Sequence, residues 1–204
     1  IGDSLSIKSH RPNLFYRFTV LDSPDINAFA LPGGYIYINR GLMAYLSSEE
    51  ELAAVLGHEI GHVTARHSVR QYSQSQLLGI LSAAVQINSG RTAGDIVGFA
   101  SGALLAGYGR EMELQADELG AEYLYQDGYP TKAMMKVLTV LKDQEIYSRE
   151  LAKERGQEPR NYHGVFASHP SNDKRLKEIL EEVSKTYQQG EIKKTADYFE
   201  KINE

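Results

Sequence analysis

Two histidines, His58 and His62, stand four residues apart in the most strongly helical stretch of this chain, with Glu59 directly after the first. Residues four apart on a helix share a face, so both imidazoles can reach one ion. The stretch opens at Ser47 or Ser48, each followed three residues on by a glutamate (Glu50, Glu51), the capping-box pattern of a helix start. Leu52, Val55, Leu56 and Val63 recur at helical spacing and carry the helix to about Arg70. Gly57 and Gly61 interrupt it on an adjacent face. Glycine costs about 1 kcal/mol of helix propensity against alanine, so two of them imply that a neighbouring backbone comes close.

Ahead of this helix the pattern is that of strands. Residues 14–21, 26–31 and 35–39 are rich in aromatic, β-branched or small apolar residues, and Asp22-Ser23-Pro24-Asp25 and Pro32-Gly33-Gly34 mark the turns between them. After it everything reads as helix, at about 75–88, 93–107, 111–126, 131–154, 171–187 and 192–202. Asp127-Gly128-Tyr129-Pro130 stops the 111–126 helix, and the polar 155–168 segment reads as a loop whose 161–167 part is a candidate gate. Strands followed by helices predict an α+β fold, mainly α, with a small antiparallel sheet packed on a helical core. The expected organisation is one domain over 1–187, with 188–204 as its C-terminal helical extension.

Hydrophobic residues form 42 percent of the 204, enough for a sizeable core. The net charge of −5 is spread without a basic block, which excludes a nucleic-acid surface. The chain has no cysteine, so disulfides, thiolate metal sites and thiol nucleophiles are excluded as well. The apolar stretch between Leu77 and Tyr108 is broken by Gln86, Asn88, Arg91 and Asp95, and neither half has the roughly 20 apolar residues of a spanning helix. The opening at Ile1 is polar and shows no signal peptide, as expected of an excised fragment or of a processed mature form.

His58-Glu59-Ile60-Gly61-His62 is therefore read as H-E-x-x-H, two zinc ligands with Glu59 placed to take a proton from an activated water and return it to the leaving amine. A third ligand is needed, with a fourth position open. A third histidine at position 68 is ruled out, since Ser68 and Ala65 stand where that longer motif wants His and Gly. His67 falls on the far side of a continuing helix and reads as structural. A carboxylate from the 111–126 helix is the alternative. Glu113 with Asp117 and Glu118 with Glu122 both have the spacing for one ligand and one supporting group, and the first pair is favoured.

These residues form blocks that resemble a known family. Leu56 to Val63 with Arg66-His67, Arg110 to Asp117, and Ser168-His169-Pro170 with Arg175 are similar to the HtpX-like and CAAX-prenyl-protease-like zinc metallopeptidases of the gluzincin type. Asn27 to Gly34 and Gly41-Leu42 extend the likeness, in its soluble, BepA-like periplasmic branch. The resemblance implies one zinc ion per chain held by His58, His62 and Glu113, with Asp117 supporting a ligand histidine. It also implies that His169 faces the active site, as oxyanion stabiliser or as fourth ligand of a resting state, with Arg175 supporting it. Gly109 and Gln115 stand where the family more usually has Ser and Glu.

The implied activity is an endopeptidase of the bacterial periplasm or cell envelope, acting on unfolded or extended polypeptide and associated with the membrane or the outer-membrane assembly machinery. A lipid anchor upstream of Ile1 is compatible with it. Asn27, Ala28, Phe29 and Ala30 are the expected substrate-binding strand, through backbone pairing. The competing readings are a chaperone or assembly factor with a self-blocked zinc site, and a structural domain in which the histidines are incidental.

Overall fold

Tyr35, Tyr37, Ile36 and Ile38 alternate along one strand, and that alternation sorts them onto two faces of a sheet. The computed structural model describes residues 1–74, 76 and 108–156. Its sheet contains β1 (Arg17–Leu21), β2 (Ala28–Leu31) and β3 (Tyr35–Asn39) in the order β1-β3-β2. The β2–β3 connection turns through Gly33 and Gly34 at φ 92 and 91, angles that strain any residue with a Cβ. On the inner face Ala28 pairs with Ile38 and Ala30 with Ile36, and all four are buried. On the outer face Phe29 stacks on its partner Tyr37 at 5.1 Å between ring centroids.

The sheet is mixed, which corrects the expected antiparallel arrangement: β2 runs antiparallel to β3, but β1 pairs with β3 in parallel. The 22–27 connection carries the chain past the β3 position, so the β2–β3 hairpin returns its second strand alongside β1. Two short helices were not legible in the sequence, α1 (Gly2–Ile7) and the single turn α2 (Arg40–Met43). Leu5 of α1 is fully buried in the core.

The motif helix is α3 (Glu49–Thr64). Ser48 accepts a hydrogen bond from the Glu51 amide, and the Glu51 carboxylate in turn accepts from the Ser47 amide at 2.7 Å. This helix is the centre of the molecule, packed against α1, β2, β3, α4 (Arg110–Gln126) and α5 (Ala133–Glu154). It ends earlier than the expected Arg70. Ala65 and Arg66 form a turn, with Arg66 at φ 56, before helix resumes over 67–74. The stop after α4 is as expected: Tyr129 N–H donates to Leu124 O and Gly128 N–H to Tyr125 O, the paired bonds of a Schellman motif around Gly128 at φ 81.

Among the described residues no helix is long and apolar enough to cross a membrane. The expected helices at 75–88, 93–107, 171–187 and 192–202, the 161–167 gate, the 187/188 boundary, His169 and Arg175 lie outside the described residues.

Candidate metal centre

Glycines set the distance between the two helices that build the site. A Cβ on Gly61 would lie 2.7 Å from the carbonyl oxygen of Ala116, and one on Gly120 would lie 2.9 Å from the backbone nitrogen of His58. The backbones of α3 and α4 therefore approach more closely than side chains would allow, as the two helix-weakening glycines of α3 implied. That approach carries Glu113, in the first turn of α4, to the face of α3 that bears the histidines.

The rings of His58 and His62 meet edge to face at 4.6 Å, with their Nε2 atoms 3.0 Å apart. Glu113 Oε1 lies 3.4 Å from His62 Nε2, and Oε2 lies 3.6 Å from His58 Nε2. Three donors bound to one tetrahedral zinc at about 2.0–2.2 Å would be separated by roughly 3.2–3.6 Å. The observed separations of 3.0, 3.4 and 3.6 Å lie close to that range, and His58, His62 and Glu113 form a group that could hold a metal ion. Glu118, of the other carboxylate pair, is exposed and is no part of that group.

Asp117 Oδ1 lies 2.7 Å from His58 Nδ1. An ionised carboxylate only accepts, so Nδ1 carries the ring proton and Nε2 presents a lone pair to the centre. Glu59 and Glu113 are both almost fully buried, at 2% and 0% exposure, and carboxylates are rarely buried without a charge or donor to match them. Glu59 follows His58 on the same helix, on the side away from solvent.

One neighbour of the centre, Tyr108, was missed in the sequence, and another, His67, was placed on the wrong side of His62. Tyr108 stacks on His62 at 4.1 Å, with its hydroxyl 2.6 Å from Ser68 Oγ. Burial pushes the Tyr108 phenol up to about 12, against the opposing effect of the Ser68 bond and with the help of Glu59 and Glu113. His67 is fully buried with Nδ1 2.8 Å from His62 Nδ1. It does not lie across the helix from His62 as a continuing helix would put it, because the turn at Arg66 swings it back. Helical periodicity alone could not reveal that turn.

The expected substrate strand is β2, at one edge of the sheet and packed on α3. Ala28 and Ala30 are buried beneath it, Asn27 precedes it, and Phe29 faces outward against Tyr37. A cavity of about 300 Å³ begins where β2 ends, between Leu31, Pro32 and Gly33 on one side and His62, Val63 and Arg66 on the other.

Residues 1–183 match the family model described as peptidase family M48. The chain belongs to that family. The curated relatives of this M48 chain carry names that fit a metalloprotease. It is 32% identical over 159 residues to the beta-barrel assembly-enhancing protease of Yersinia pestis, covering 72% of this chain and 32% of the relative. It is 28% identical over 193 residues to the mitochondrial metalloendopeptidase OMA1 of Arabidopsis thaliana, 92% of this chain and 36% of that one. Metalloprotease YcaL of Escherichia coli is 28% identical over 174 residues, 82% and 62% of the two chains. The M48 chain thus spans about a third of the length of the first two.

Proposed function

We propose that this M48 metalloprotease is a zinc-dependent endopeptidase that hydrolyses peptide bonds in misfolded or misassembled cell-envelope proteins. The observation that carries the reading is the convergence of two imidazole Nε2 atoms and one buried carboxylate within 4.8 Å, beside a second buried carboxylate, Glu59. Two nitrogens and one oxygen suit zinc, and three protein ligands leave the open position of a catalytic site. When bound, the ion supplies a Lewis acid that polarises the scissile carbonyl and acidifies water. His58, His62 and Glu113 hold it. Asp117 keeps the proton of His58 on Nδ1, and Glu59 takes a proton from the attacking water and delivers it to the leaving amine.

The substrate lies extended along the edge of β2 at Asn27, Ala28, Phe29 and Ala30, where backbone pairing ignores side-chain identity and so favours unfolded segments. His169, with Arg175 behind it, stabilises the oxyanion or closes the fourth position at rest; the family resemblance supports this pair of roles. The periplasm or cell envelope, near the outer-membrane assembly machinery, is the expected location. The similarity to beta-barrel assembly-enhancing proteases supports the link to that machinery.

The test is cleavage of an unfolded protein by wild type and Glu59→Gln, with metal content measured on both. Loss of the proton acceptor is expected to slow cleavage by about 10²–10⁴-fold while one zinc per chain remains. Equal inertness of both proteins, unrelieved by His169→Ala, would replace the peptidase with the self-blocked chaperone.

A further inference from the structure

We propose that His67 and Gln115 form a positioning relay that fixes the tautomer and ring orientation of His62 for metal binding, as Asp117 does for His58. This rests on the metal-site reading above and adds two residues to it. The Arg70 guanidinium can only donate, and Nη1 lies 3.2 Å from the Gln115 side-chain atom Oε1, which identifies that atom as the amide oxygen. His67 Nε2 lies 2.9 Å from the same oxygen, so Nε2 carries a proton.

His67 is fully buried, and its two ring nitrogens meet an amide oxygen and another imidazole, surroundings that suit a neutral ring. A neutral ring with its proton on Nε2 has a lone pair on Nδ1. That lone pair faces His62 Nδ1 at 2.8 Å, so the proton between the rings belongs to His62. His62 is thereby left with a lone pair on Nε2, the atom that faces His58 Nε2 at 3.0 Å and Glu113 Oε1 at 3.4 Å. Both ligand histidines then point lone pairs inward, an arrangement that repels without a cation and binds tightly with one.

The backbone supports the same assignment. Arg66 at φ 56 occupies the left-handed region, uncommon outside glycine, and the turn it makes is what brings His67 under His62. Tyr108 covers one face of the His62 ring at 4.1 Å and meets the 67 ring obliquely at 5.9 Å, so the pair is held from two directions.

Zinc affinity by competition with a chromophoric chelator tests the relay on the whole chain. His67→Leu removes the acceptor and is expected to weaken zinc by roughly 10–100-fold. His67→Asn places Oδ1 where Nδ1 was and should restore most of that loss, which a purely space-filling role would not predict. Gln115→Met, at an exposed position that tolerates the change, should give an intermediate loss. In the metal-free protein, ring ¹⁵N shifts should report His62 protonated at Nδ1 in wild type and a mixed tautomer in His67→Leu. Wild-type affinity in both His67→Leu and Gln115→Met overturns the relay and leaves the metal site standing. Should His67→Leu fail to fold, Gln115→Met decides alone, weaker binding supporting the relay and unchanged binding overturning it. A wild type that takes up no zinc overturns the site and the relay together.

Discussion

Asp117 shows how little room the centre leaves for substitution at the scale of one residue. It is buried, and its oxygen holds the His58 ring at 2.7 Å. In Asp117→Ala nothing keeps the proton on Nδ1, so the ring spends part of its time with a hydrogen where the metal should be. Zinc binding is expected to weaken roughly 10–100-fold, with Asp117→Asn in between because its amide can still accept through oxygen. Chelator competition measures this, and an alanine variant of unchanged affinity would reduce Asp117 to a packing role. His58, Glu59 and His62 were legible from spacing alone, because a helical turn fixes which residues share a face. Glu113 was legible only as one of two choices, since spacing within a helix says nothing about which face meets another helix. Tyr108 left no signal, because 40 residues separate it from Ser68, its hydroxyl's partner.

At the scale of elements, the approach of α3 to α4 is the variable that matters. Gly61→Ala would put a methyl 2.7 Å from the Ala116 carbonyl oxygen and 3.0 Å from its Cα, both backbone atoms that cannot swing aside. The helices must part, at a cost of about 1–3 kcal/mol, and Glu113 withdraws with α4 from His62. Stability in urea and zinc affinity are therefore expected to fall together. Gly57→Ala meets the flexible end of Leu124 at 2.7 Å and the nearest backbone atom only at 3.3 Å, so its effect on both should be smaller. The reverse order of the two variants would refute the close-approach argument. The glycines, the Ser48 cap and the Gly128 stop could all be read in advance, since each acts within a turn of its own position. The parallel pairing of β1 with β3 could not, because it depends on where the 22–27 connection leads and not on the composition of either strand. Nor could the break of α3 at Arg66, where no glycine marks the left-handed residue.

At the scale of the whole molecule, the end of α4 is tied back to the start of α3. Tyr129, in the connection to α5, is 1% exposed and donates its hydroxyl to Glu49 in the first turn of α3 at 2.7 Å. Two residues earlier, Asp127 accepts from Ser4 of α1 at 2.6 Å, so three parts of the chain meet at this corner. Burial first, and then the Glu49 carboxylate, raise the Tyr129 phenol above its ordinary value of 10.0. A phenol that holds its proton more tightly when folded contributes stability that is complete below about pH 10 and is lost as the pH rises toward the folded-state value. Tyr129→Phe removes the donor to a half-buried carboxylate that water can partly reach, which should destabilise the fold by about 0.5–2 kcal/mol near neutral pH. Phenylalanine cannot ionise, so the variant lacks this part of the alkaline loss, and the gap between it and wild type should narrow as the pH passes about 10. Urea unfolding of both proteins across that range measures the gap. The phenols of Tyr16, Tyr108 and Tyr123 are raised by burial too and remain in both proteins, so they cancel in the difference. A gap that stays constant into alkali would mean that the Tyr129 hydroxyl is not held against Glu49, and that packing alone joins the two ends of the helical core.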